Sequence, residues 1–222
     1  MAEMFSTATA HEFWDDRWQS ESGRRGWSIP DPQVRACLEE LQLKGYRSML
    51  DLGSGAGRHA LLMAEMGFEA TALDASPTGL GFLAKEAKAR NFNVATVEGH
   101  MCKLPFCDGE FDYVLALNVI YHGNENEVRR AISEIRRVLR PGGVFQGTLL
   151  SKRHCEYGLG REISRGTFIQ DRAPNSDRDH PHHYASASEA IALLHGFELL
   201  RMVDREQKRP GQWHWYFEAE RL

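Results

Sequence analysis

Short apolar runs alternate with amphipathic stretches of helical period from residue 47 onward, which predicts an α/β chain with a largely parallel sheet. Strands are expected over 47–52, 69–73, 93–97, 111–117 and 144–150, with helices over 58–66, 76–90 and 125–139 between them. Pro77 stands near a first helical turn, where its missing N–H costs nothing, and Pro141-Gly142-Gly143 forms a stop. From Ser151 to Tyr184 the pattern weakens into polar sequence with scattered glycine, histidine and proline; so long a loop in a compact domain is usually functional. A helix over 187–194 and strands over 197–203 and 213–220 follow. The short turn at Pro210-Gly211 can only return the chain antiparallel. Ahead of all this, residues 11–30 are aromatic and charged, and a helical pattern over 34–43 ends at Gly45.

Composition narrows the partners. With 222 residues, 42% hydrophobic and 26% charged, the chain is expected to be a soluble globular protein with one substantial core. A net charge of -4 offers no basic excess for phosphate contacts and disfavours nucleic acid. Cys37, Cys102, Cys107 and Cys155 form no Cys-x-x-Cys pair, which fits reduced thiols in the cytoplasm. The first ten residues show no leader pattern, and no stretch is long enough to span a bilayer. Arg129, Arg130, Arg136 and Arg137 read as a solvated helix face.

The chemistry gathers at Asp51-Leu52-Gly53-Ser54-Gly55-Ala56-Gly57, where a strand feeds closely spaced glycines and then a helix. Glycine allows positive φ and close ligand approach. A dinucleotide-binding Gly-x-Gly-x-x-Gly would place its third glycine at 58, where arginine stands. Asp74 ends the second strand about 20 residues on, a placement that lets a carboxylate bind ribose hydroxyls; a helix cap before Ser76-Pro77 is the plainer alternative. Asp51 either steadies the loop or faces an ammonium. A cofactor with a ribose at one end and an amino acid at the other accounts for both acids.

These residues resemble the class I S-adenosylmethionine-dependent methyltransferase family over roughly 48–150. Leu50 to Gly57 is similar to the family's first motif and Ala72-Leu73-Asp74-Ala75-Ser76 to its ribose-binding segment. Leu104-Pro105-Phe106 with Asp108 to Asp112 resembles the approach to its fourth strand, and Arg136 to Gly143 the helix-turn before its fifth. The resemblance implies a doubly wound, mostly parallel seven-stranded sheet with an antiparallel last strand, a Rossmann-like methyltransferase fold binding S-adenosylmethionine. It also implies that the backbone around Gly53 and Asn118 holds the methionine end, that Asp74 binds ribose, and that Ala75 and Met101 flank the adenine. The family often carries an acid where Gly99-His100-Met101 stands, so His100 or the Met101 backbone must serve the adenine amino group.

Methyl transfer needs alignment and a dry cavity more than a fixed catalytic dyad. Tyr121 and His122 are the expected catalytic contacts to the acceptor, with a capped loop as the alternative. Trp14, Trp18, His183 and Tyr184 are expected to line the acceptor pocket. Phe13, Trp14, Trp18 and Trp27 would cover the cofactor, or simply dock their segment on the domain. His180, His182 and His183, with His154 and Cys155 at the insertion's other end, read as a polar loop rather than a metal site. The expected organisation is a cover over 1–45 and a cofactor-binding domain over 46–222 with an insertion at 151–186. The expected activity is methylation of a small molecule; methylation of RNA or protein, or cofactor binding without transfer, are the alternatives.

Overall fold

The computed structural model describes residues 10–170, 176–207 and 209–222. Residues 1–9, scanned above for a leader, and 171–175 of the insertion lie outside the described residues. Strand β1 (Ser48–Leu52) is central, and Met49, Leu50, Asp51 and Leu52 are all buried, as expected of a parallel strand covered on both faces. It pairs in parallel with β2 (Glu69–Asp74) and β4 (Phe111–Ala116); β3 (Val94–Glu98) adds to β2 and β5 (Leu139–Ser151) to β4. The closing pair β9 (Phe197–Glu206) and β10 (Trp213–Arg221) is the predicted hairpin, and β10 runs antiparallel beside β5. The seven-stranded core order is therefore β3-β2-β1-β4-β5-β10-β9.

Helices cover both faces. On one, α6 (Glu125–Val138) buries Val128, Ala131, Ile132, Ile135 and Val138, the apolar stripe of a 3.6-residue period. Its start is fixed by a capping box between Asn124 and Glu127. With α7 (Ala187–Leu193) it packs on Phe145 and Phe217. Arg137 belongs to this scaffold rather than to a solvated face: it pairs with Glu134 and donates to the carbonyls of Leu104 and Phe106, pinning the loop before β4. On the other face, α3 (Pro32–Leu43) places Val34, Leu38 and Leu41 in one cluster with Met49, Leu62 and Met63. Residues 32–43 are thus built into the domain core, whereas α1 (Ala10–Gln19) and α2 (Glu21–Arg25) lie over the sheet edge, α1 against α5 (Pro77–Ala89).

The insertion departs from the expected polar loop. Hairpin strands β6 (Arg161–Ser164) and β7 (Thr167–Ile169) lead through a turn at Asp177–Asp179 to β8 (His182–Ala185). β8 pairs antiparallel with β7 and in parallel with Leu150 and Ser151 of β5, extending the sheet to ten strands. Its four residues, two of them histidines, are all buried. A strand buried on both faces whose buried positions are His and Tyr carries no apolar alternation to announce it.

Gly57 caps the N-terminus of α4 (Arg58–Glu65) at φ 86°, and a Cβ there would lie 2.3 Å from Leu83 Cδ1. Gly57→Ala is expected to destabilise the protein by about 2–4 kcal/mol, combining left-handed strain with overpacking. Thermal denaturation checks this, and an unchanged midpoint would contradict it.

Candidate functional site

The C-terminal ends of β1, β2 and β4 open on a cavity of about 960 Å³ of empty space, continuous with solvent. Gly53, Ser54 and Gly55 form its floor; Asp74, Ala75, His100 and Met101 line one end, and Asn118 and His122 another. Trp14, Trp18 and Trp27 roof it, their rings packed mutually at 5.3–6.4 Å between centroids. Trp18 occupies the space a side chain at Gly55 would need, since a Cβ there would lie 2.6 Å from its Cζ2. The glycines thus serve the packing of the loop against its own cover, and Gly53, at φ 68°, does the same for Val119.

The loop spends its N–H groups internally. Gly53 and Ser54 donate to the Leu73 carbonyl, Gly57 to Ser54, and Gly55 to Asp74 Oδ2 at 2.7 Å. Asp51, buried beneath, accepts from Ala60 N at 3.0 Å and so fills the N-terminal turn of α4. It does not line the cavity, and neither does Gly57. Of the two readings of Asp51, the one seen is support of the loop and helix. A pyrophosphate would compete for these N–H groups with Leu73, Asp74 and Asp51.

Polar capacity inside the cavity remains elsewhere. Ser54 Oγ and His11 Nδ1 are buried without a hydrogen-bond partner, and both residues line the cavity. Asp74 Oδ1 accepts from Ser76 N at 2.8 Å, so it caps α5 while facing the cavity; the cap and the ligand role are compatible because each carboxylate oxygen carries two lone pairs. Burial raises the Asp74 carboxyl above its ordinary value, against hydrogen bonds from Gly55, Ser76 and Ala75. Asp15 of α1 reinforces the same turn, accepting from Ser76 Oγ at 2.6 Å and Thr78 N at 2.9 Å. Arg58 lines the cavity as well, bonded to the Ile29 carbonyl and stacked on Trp27 at 5.2 Å. His100 lines the cavity, and its Nδ1 accepts from Cys102 N at 3.3 Å.

The expected acceptor residues separate. His122 lines the cavity, and burial pushes its imidazole down to about 3, so it is neutral at neutral pH. Tyr121 packs behind His122, with ring centroids 4.8 Å apart, in a cluster with Leu150, Phe168 and Tyr184 off the cavity wall. His183 points to Thr167, with Nδ1 3.0 Å from Oγ1, because alternation along β8 sends it to the face opposite His182. Neither His183 nor Tyr184 reaches the cavity, whereas Trp14 and Trp18 do. Instead β8 delivers His182 to His122, their rings 4.6 Å apart and their backbones bridged. Trp27 lines the cavity as part of the expected cover, whereas His11 and Arg58 are wall residues absent from the sequence expectation; His11, Trp14 and Trp18 share one helical face by their spacing of three and four, and Arg58 directly follows the loop.

Residues 49–143 match the family model described as a methyltransferase domain. A putative methyltransferase of Encephalitozoon cuniculi is 33% identical over 164 residues, 70% of this chain and 71% of that protein. Demethylmenaquinone methyltransferase of Thermus thermophilus is 36% identical over 104 residues, 45% of this chain and 46% of its own. The match spans about half the length of the leading curated relatives. Among solved structures, magnesium protoporphyrin IX methyltransferase of Synechocystis with bound S-adenosylmethionine superposes with a TM-score of 0.71 at 15% identity over the whole of both chains.

Burial raises the Asp51 carboxyl to about 7, against the Ala60 hydrogen bond and the Arg58 charge. An unfolded aspartate titrates near its ordinary value of about 3.9. Between these limits the folded chain keeps a proton that the unfolded chain has released, so this group makes stability fall as pH rises from about 4 to about 7. Melting curves of Asp51→Asn and the parent should therefore diverge in the variant's favour across that window and run level above it; parallel profiles would contradict the assignment.

Proposed function

The chain belongs to the class I S-adenosylmethionine-dependent methyltransferases, and on that premise we propose that it transfers the cofactor's methyl group to a small-molecule acceptor held beneath the tryptophan roof. The observation that carries this reading is the division of labour at the glycine loop. Its N–H groups and the α4 terminus are committed to Leu73, Asp74 and Asp51, while Asp74, Ser54 and Arg58 keep polar capacity toward the cavity. That set suits a ribose at Asp74 and an amino-acid carboxylate at Arg58, while most of the loop N–H groups that a dinucleotide's phosphates would use are already bonded.

When bound, S-adenosylmethionine supplies an electrophilic methyl group on a sulfonium. The carboxylate of Asp74 accepts the ribose hydroxyls, and the Arg58 guanidinium faces the carboxylate of the methionine end. Leu73 and Met101 give apolar faces to the adenine, and Ala75 lies beside Asp74. Trp14, Trp18 and Trp27 exclude water and offer electron-rich faces to a cationic centre. His122, neutral and at the cavity wall, contacts the acceptor. A roof and rim of this kind enclose a small molecule rather than a polymer, and the relatives named for quinone and porphyrin substrates support that choice. The four cysteines are free thiols, in keeping with the cytoplasm as the setting. Among the described residues no helix is long and apolar enough to cross a membrane.

Formation of S-adenosylhomocysteine against a panel of small metabolites, with bulk RNA in parallel, tests the reading: turnover with a metabolite supports it, and turnover with RNA alone overturns it. Asp74→Ala should weaken cofactor binding by about 10- to 100-fold, the loss of one charge-assisted acceptor, and unchanged affinity by calorimetry would remove the ribose role. His122→Ala should lower kcat by roughly tenfold or more with little effect on cofactor affinity; a parental kcat would return His122 to the loop.

A further inference from the structure

The insertion and the β4 loop meet at three side chains, two of which, His182 and Asp177, the methyl-transfer reading leaves unused. His122, His182 and Asp177 each offer one ligand atom, and these atoms lie within 4.8 Å of one another. His122 Nδ1 is 3.6 Å from Asp177 Oδ1, and His182 Nε2 is 3.3 Å from Asp177 Oδ2. Ligands about 2.0–2.2 Å from a tetrahedral ion are separated by roughly 3.3–3.6 Å; each imidazole stands at that distance from one oxygen of the carboxylate, His122 from Oδ1 and His182 from Oδ2, so a single coordinating oxygen would be reached by a small rotation of Asp177.

The polar bookkeeping at these atoms does not close within the protein. His182 Nδ1 lies 2.9 Å from the His180 carbonyl, which requires the ring N–H there and turns the Nε2 lone pair toward the Asp177 carboxylate. His122 Nδ1 and His182 Nε2 are buried without a hydrogen bond. Two imidazole nitrogens therefore face one carboxylate with nothing positive between them. Arg178, the neighbouring cation, pairs with Glu156 at 2.5 Å, keeps a buried Nη1 without a partner, and acts on Asp177 through its charge without a hydrogen bond to it. The carboxylate is also oriented from behind, since Trp14 Nε1 donates to Asp177 Oδ1 at 3.0 Å. A ring N–H on a backbone carbonyl and a donor on the carboxylate are the outer contacts that hold metal ligands in place.

We infer that His122, His182 and Asp177 form a binding site for a divalent transition-metal ion of the zinc class at the rim of the cofactor cavity. Two imidazoles and one carboxylate are a nitrogen–oxygen set suited to zinc and its neighbours rather than to magnesium or calcium. Three protein ligands leave one position for water or for an oxygen or nitrogen of a bound molecule, the arrangement of reactive rather than structural zinc sites. Because His122 belongs to both the cluster and the cavity wall, the ion stands at the edge of the cavity formed by His122. The inference goes beyond the methyl-transfer reading and does not rest on it, because metal binding is measured without turnover.

The competing account is a proton: an imidazolium at His182 paired with Asp177. The test uses the full chain, stripped with a chelator and titrated with zinc ions against a chromophoric competitor, followed by X-ray absorption at the zinc edge. The expected result is one equivalent per chain with a scattering shell containing two imidazoles. Asp177→Asn and His182→Ala should each weaken zinc binding by at least about tenfold while keeping the parental circular dichroism, and His183→Ala should bind as the parent does. Failure of the parent to bind a stoichiometric ion, a shell without imidazole, or parental affinity in the folded Asp177 and His182 variants would overturn the proposal in favour of the proton. The absorption spectrum of the parent decides the matter even where a variant does not fold.

Discussion

The carboxylate of Asp74 is the tie on which the site depends. One oxygen holds Gly55 N of the glycine loop and the other holds Ser76 N at the start of α5, so the turns after β1 and β2 are locked to one another at the sheet's C-terminal edge. Asp15 extends the tie outward by binding Ser76 and Thr78, which brings α1 and its tryptophans over the cavity. A single half-buried acid thereby sets floor, wall and roof together. The cost of its burial, seen in its raised carboxyl, is what a ligand's hydroxyl groups would relieve.

Asp51 does the complementary work. It takes the N-terminal end of α4, the position an anionic ligand would otherwise claim, and the loop's N–H groups close on the protein itself. The resulting surface is a shaped wall with few free donors, suited to a nucleoside and a zwitterion rather than to phosphate. The insertion adds a second layer: β8 lies beyond the end of β4, and its pairing to Leu150 and Ser151 carries His182 to the cavity rim.

The parallel core was legible because its strands are continuous apolar runs and its loops carry glycine and proline where backbone geometry demands them; β1 was expected at 47–52 and lies at Ser48–Leu52. Gly53, Asp74 and the closing hairpin follow from the same local rules. Three features were not legible, each for a physical reason. The direction a buried acid faces depends on tertiary packing, so Asp51 stayed open between two roles. β8 hides because its buried residues are polar, and the strand parity that turns His182 inward and His183 outward needs the register to be known. Tyr121 and His122 are adjacent in sequence and their rings pack at 4.8 Å, yet only His122 reaches the cavity wall while Tyr121 sits behind it in a buried cluster.

The central claim is that this cavity, roofed by Trp14, Trp18 and Trp27, holds S-adenosylmethionine. Titration with S-adenosylhomocysteine, followed by intrinsic tryptophan fluorescence with NAD in parallel, tests it most directly. The account predicts a saturable change with one site per chain for S-adenosylhomocysteine and none for NAD. No saturable response to S-adenosylhomocysteine, or an equal response to NAD, would contradict it.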